Sequence, residues 1–123
     1  MKKIILPLLL LFAFTALNAQ VITKKESKEI ILKNMVGLEY YSPVVGDMGY
    51  KKIASAEIDN KDMFSFKDKA GKDLFWFNIE KTTIKYEDGI LIIWYGYYNY
   101  KVKSNQKTGN KIADAFNNLK EMD

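Results

Sequence analysis

The sequence predicts a mainly β domain, an antiparallel sheet structure closed by one C-terminal helix. Two observations carry that prediction. From residue 50 to residue 103 the chain runs as alternating apolar and polar stretches bounded by turn dipeptides. From Ile112 to Met122 the period changes, and apolar residues recur at three- and four-residue spacing. The elements follow in chain order.

Lys2 and Lys3 precede an apolar run, Ile4 to Leu17, and Asn18-Ala19-Gln20 follows. A basic start, a short apolar stretch and a small residue at the cut describe a secretory signal peptide, with cleavage between Ala19 and Gln20. The rival is a retained anchor, but the run is broken by Pro7 and falls short of the roughly 20 residues a spanning helix needs. The expected location is the periplasm or the exterior of a Gram-negative-like cell.

The expected mature chain, residues 20–123, suits one domain. It has no Cys, so neither disulfides nor lipidation at an N-terminal Cys is open to it. Packing must hold it together, and fifteen mature aromatics are available. Without Lys2 and Lys3 the chain carries 17 Lys against 15 Asp and Glu, a net charge of +2. Every basic residue is Lys. The missing Arg fork argues against a dedicated phosphate, nucleic-acid or anionic-lipid site. There is no His, which excludes Ser-His-Asp and Cys-His catalysis and histidine-bound zinc.

Thr23-Lys24-Lys25-Glu26 has capping-box spacing, with Ile30, Ile31, Leu32, Met35 and Val36 behind it and Gly37 placed to end a helix. A strand over 29–36 fits equally well. Residues 38–49 hold Pro43, Gly46 and Gly49 and read as a loop carrying Tyr40 and Tyr41. Residues 20–49 thus form an N-terminal segment, and 50–123 a β-meander with a terminal helix. Strands are expected over 50–58, 63–68, 73–79, 82–87, 90–95 and 98–103.

Asp88-Gly89 suits a type I′ turn and Gly96-Tyr97 a type II′ turn. Each fixes a register, and the two agree on one face. Tyr86–Leu91–Val102, Ile84–Ile93–Tyr100 and Thr82–Tyr95–Tyr98 form inward rows. Ile90, Ile92 and Trp94 then stand outward among Lys85, Glu87, Asn99, Lys101 and Lys103. The Ala70-Gly71 turn pairs Phe64 with Phe77 and Phe66 with Phe75, leaving Leu74 and Trp76 on the other side. The final helix presents Ile112, Ala115, Phe116, Leu119 and Met122 on one stripe, with Asn110 as the expected N-cap.

Trp76-Phe77-Asn78-Ile79, the hairpins from Ile84 to Val102 and the helix from Lys111 to Leu119 resemble the end of a bacterial or GRAM-type member of the pleckstrin-homology-like fold. That resemblance implies two orthogonal sheets in a roll, plugged by the last helix. A helix over 24–36 would favour a cystatin-like or NTF2-like α+β sheet instead. The resemblance would place a basic phosphoinositide loop near 38–49. This stretch has no Lys and carries Asp47, so that activity is not carried over.

The leading candidate site is Ile90, Ile92 and Trp94, an apolar cluster on an outward strand face rimmed by polar groups. The competing reading is cover by lysine stems or by residues 20–49. Trp76 and Leu74 form a second, smaller candidate. Tyr95, Tyr97, Tyr98 and Tyr100 suggest sugar stacking, but the register scatters them. Glu57, Asp59 and Asp62, and Glu87 with Asp88, read as turn acidity rather than a calcium loop. The stretch from Lys67 to Asp73 lacks P-loop order. The expectation is a non-catalytic binding module without metal or cofactor. Its partner is a protein or an apolar ligand, not a nucleic acid, and no part spans a membrane after cleavage. The rival is a carrier of a small apolar ligand with an internal pocket.

Overall fold

The computed structural model describes residues 23–122, so the signal-peptide reading falls outside the described residues. Thr23 opens the fold as a helix cap. Its hydroxyl accepts from the Glu26 amide at 3.1 Å and donates to the Glu26 carboxylate at 3.2 Å. That cap decides between helix and strand, and the segment is helix α1 (Lys24–Met35). Its buried face, Ser27, Ile31 and Met35, follows the four-residue spacing of a helix.

The expected loop over 38–49 contains strand β1 (Glu39–Ser42), which buries Tyr40 and Ser42. The single strand expected over 50–58 is two strands, β2 (Gly49–Lys52) and β3 (Ser55–Ile58), in different sheets. The chain changes sheet at Ile53, which is fully buried. The Ile53 amide donates to Leu38 O at 2.8 Å, while the next amide, Ala54, donates to Lys67 O at 2.9 Å. Successive peptide groups thus serve different sheets.

The remaining strands are β4 (Met63–Lys67), β5 (Asp73–Asn78), β6 (Thr82–Glu87), β7 (Ile90–Tyr95) and β8 (Tyr98–Lys103), followed by helix α2 (Gln106–Met122). They form a five-stranded antiparallel sheet in the order β2-β1-β8-β7-β6 and a three-stranded one in the order β3-β4-β5. The β6–β7 and β7–β8 registers match the sequence expectation pair by pair, including Ile84↔Ile93 and Leu91↔Val102, and β4–β5 matches it at Phe64↔Phe77 and Phe66↔Phe75. Positive φ at both Asp88 and Gly89 gives the type I′ geometry. A bulge interrupts β4–β5: Phe66 pairs with Phe75, but Lys67 pairs with Asp73.

The core lies between the sheets and the helices. Phe64, Phe66, Phe75 and Phe77 stack across the β4–β5 hairpin, the closest pair at 4.5 Å between centroids. Tyr40 from β1 stacks on Phe75 at 4.6 Å, and Phe116 from α2 meets Phe77 edge-on at 5.8 Å. Each such side chain contributes roughly 1.5–3 kcal/mol through burial. Helix α2 buries Ile112, Phe116 and Leu119 and packs on α1 and β6. It begins earlier than its apolar stripe. Its cap is Asn105, whose side-chain oxygen accepts from Thr108 N at 2.8 Å, and not Asn110, which is an exposed helical residue. The first turn carries no large apolar side chain, which is why periodicity placed the start too late.

Candidate functional site

Strand β7 lies between β8 and β6, and alternation sets Ile90, Ile92 and Trp94 on its outer side. Ile90 and Ile92 are half-buried, and Trp94 is 48% exposed. The cluster is therefore open to solvent, and residues 23–49 do not cover it. Cross-strand pairing defines its surroundings. Glu87, Ile90, Lys103, Glu39 and Lys52 form one outer row. Lys85, Ile92, Lys101, Tyr41 and Tyr50 form the next. Thr83, Trp94 and Asn99 form a third.

Tyr41 and Tyr50 are members that sequence reasoning missed. Their rings meet edge-on at 5.4 Å, and the Lys103 ammonium lies 5.4 Å from the Tyr50 centroid, a cation–π distance. The signal for them was the adjacency of Tyr40 and Tyr41. One of two neighbouring strand residues points inward and the other outward, but that inference requires knowing that β1 is a strand. The face therefore combines an apolar centre, two tyrosines and a rim of lysines with Glu39 and Glu87.

Trp76 and Leu74 do not join this patch. Trp76 is 46% exposed on the outer side of the three-stranded sheet, opposite Ser65. Leu74 sits at the bulge and lines a cleft of about 210 Å³ with Tyr40, Ser42, Val44 and Asp47. The tyrosine group is split as well. Tyr95, Tyr98 and Tyr100 stack along the inner side at 6.4 and 6.0 Å, and Tyr97 projects from the turn. Tyr98 belongs to the inner register yet is exposed, because it sits in the last pair before the turn.

Glu57, Asp59, Asp62 and Glu87 have structural partners, and Asp88 is a turn residue at positive φ. Asp59 accepts from Lys61 N at 2.8 Å and Met63 N at 3.0 Å, and those backbone donors hold its carboxyl below the usual range. Asp62 pairs with Lys28 at 2.8 Å, Glu57 with Lys67 at 3.1 Å and Glu87 with Lys85 at 3.5 Å. Among the described residues no three His, Cys, Asp or Glu side chains gather to hold a metal, and no helix is long and apolar enough to cross a membrane. The chain matches no protein-family model, no curated protein and no solved structure.

Proposed function

We propose that the protein is an exported, non-catalytic binding module that engages a protein partner through the outer face of its five-stranded sheet, centred on Ile90, Ile92 and Trp94. One observation carries the proposal: on the outer face of the five-stranded sheet Trp94 stands half in solvent on the same strand as Ile90 and Ile92, and the row through Ile92 continues to Tyr41 and Tyr50. Aromatic side chains of this kind supply most of the energy in protein interfaces, and a polar rim excludes water around them. Lysines beside Ile90 and Ile92 provide that rim.

The absence of His and Cys, and the pairing of the acidic side chains, support a role without catalysis. The internal-pocket alternative has less room, because Tyr40 and Tyr100 of the five-stranded sheet pack on Phe75 of the three-stranded sheet at 4.6 and 5.1 Å between ring centroids. Export rests on the basic and apolar order of the first nineteen residues. The proposal includes kinship with the pleckstrin-homology-like roll, supported by two antiparallel sheets and a terminal helix, whereas helix α1 is the element that the cystatin-like or NTF2-like alternative expects.

Native mass spectrometry of the untagged protein from its own cells tests this reading. The expected species begins at Gln20 and carries a protein-sized bound mass, which Ile92→Lys removes without lowering the melting temperature. A bound mass that survives Ile92→Lys would place the partner elsewhere. A small-molecule mass held by both forms would favour the carrier.

A further inference from the structure

We propose that the cleft beside Leu74 binds a neutral polyhydroxyl ligand the size of one sugar ring. The cleft lies where the two sheets meet. From β1 it is lined by Tyr40 and Ser42, alternate residues whose side chains share the inner face, and from β5 by Asp73 and Leu74. Tyr40 stacks on Phe75, the neighbour of Leu74, and so brings the two strands together. The cleft holds about 210 Å³, less than the roughly 300 Å³ at which pockets for larger ligands begin, which suits a single ring.

Ser42 is the sign of a ligand. It is 5% exposed, and among the described residues its hydroxyl has no hydrogen-bond partner. The hydroxyls of Ser27 and Thr82 share that lack but are sealed off, whereas the Ser42 oxygen opens into the cleft. Tyr40, equally buried, also has an unpartnered hydroxyl among the described residues. Burial pushes that phenol up, so it stays protonated and able to donate. Two hydroxyls that can each donate and accept, lining a space open to a solute, match a ligand that is itself hydroxylated.

The charged rim selects the same class. Asp47 is shared between Lys51 at 2.7 Å and Lys72 at 3.7 Å, which ties the β1–β2 loop to the turn between β4 and β5. With both lysines paired, the rim has no uncompensated positive charge for an anion. Among the described residues no three carboxylates gather to hold a metal cation. Hydrogen-bonding capacity nonetheless remains. Each ammonium has donors beyond the one that Asp47 takes, and Asp68 accepts from Ala70 N and Lys72 N, both at 2.9 Å, through Oδ1 alone, leaving Oδ2 as an acceptor. Leu74 and Val44 supply the apolar contact for the C–H face of a ring.

The test is amide NMR of the purified protein titrated with the methyl glycosides of glucose, galactose and mannose and with N-acetylglucosamine. At least one sugar is expected to shift the Ser42, Lys72 and Leu74 amides and to saturate in the millimolar range. Ser42→Ala is expected to weaken that binding about fivefold. Its melting temperature is expected to stay unchanged, because the hydroxyl it removes bonds nothing in the free protein. The face variant Ile92→Lys is expected to retain the sugar response, so failure of this proposal and failure of the partner-face reading are separately visible. Four sugars that leave those amides unmoved would overturn the proposal. So would undiminished binding by Ser42→Ala, or an equal response to sodium phosphate or to tetramethylammonium.

Discussion

Gly109 lies against the ring of Tyr86, so that a Cβ added to the glycine would stand 2.9 Å from Tyr86 Cγ and closer still to Cδ1 and Cε1. The ring is held in place. Its hydroxyl accepts from Gly89 N at 3.0 Å and donates to Ser104 O at 3.3 Å, tying the β6–β7 turn to the entrance of α2. Gly109→Ala gains about 1 kcal/mol of helix propensity. The clash outweighs it, and the expected net loss is about 2 kcal/mol. Pairing Gly109→Ala with Tyr86→Ala removes the clash, so the double variant is expected to be more stable than the two single losses added together. Urea unfolding of the four proteins checks this.

Two buried hydroxyls, Ser27 Oγ in α1 and Thr82 Oγ1 in β6, have no hydrogen-bond partner. A buried polar group without a partner costs stability, and its apolar replacement relieves that cost. Ser27→Ala and Thr82→Val are each expected to raise unfolding free energy by about 1 kcal/mol. A loss of that size in either variant would mean that the hydroxyl is bonded in solution.

The aromatic core and the exposed face separate by stability. Phe75 contacts Tyr40, Phe66, Phe77 and Tyr100, and Phe75→Ala is expected to cost about 4 kcal/mol. Trp94→Ala, half in solvent, is expected to cost less than about 1 kcal/mol. Calorimetric melting distinguishes the two. A Trp94 variant as damaged as the Phe75 variant would make that face structural.

Stability is expected to fall at both extremes of pH. Asp59, through the Met63 and Lys61 amides, and Asp47, through Lys51, have carboxyls held below their usual range. A carboxyl depressed in the folded state stabilises above its unfolded value, near 4, and that contribution disappears as pH falls through the folded value. Tyr100 behaves in the opposite sense: burial, with Tyr40 beside it, pushes its phenol up to about 12. Its contribution is complete below about 10 and is lost as pH rises through the folded value. Lys67, raised by Glu57, acts in the same direction. Denaturation midpoints across pH check the sign, and Asp59→Asn is expected to flatten the acid limb.

The hairpins from β4 to β8 were legible because their turn dipeptides and alternating side chains both encode register locally. Ile84↔Ile93 follows from turn length alone, whereas Phe64↔Phe77 has the expected partner because the bulge at Leu74 offsets a turn longer than Ala70-Gly71. Strand β1 was not legible. Tyr40 and Tyr41 lie next to Pro43 and Gly46, and the strand they form is held between β2 and β8, the latter at the far end of the chain. The break at Ile53 was hidden for the same reason, since it is set by the Ile53 amide turning to Leu38 O, just before β1, and the Ala54 amide to Lys67 O, in β4. The Ile90–Ile92–Trp94 cluster was found by alternation, whereas Tyr41 and Tyr50 needed the β1–β8 pairing.

That pairing also constrains the order of assembly. Glu39 meets Lys103, so the five-stranded sheet is complete only once nearly the whole chain is present. Closing so long a loop has an entropic cost that local hairpins do not share, and contacts distant in sequence slow folding. The β6–β7–β8 hairpins are therefore the natural nucleus, with β1 and β2 docking afterwards. A chain emerging N-terminus first would hold Tyr40 and its neighbours paired only with β2, the edge that β8 covers standing open until the last strand arrived, which makes this edge the natural point of contact for a chaperone.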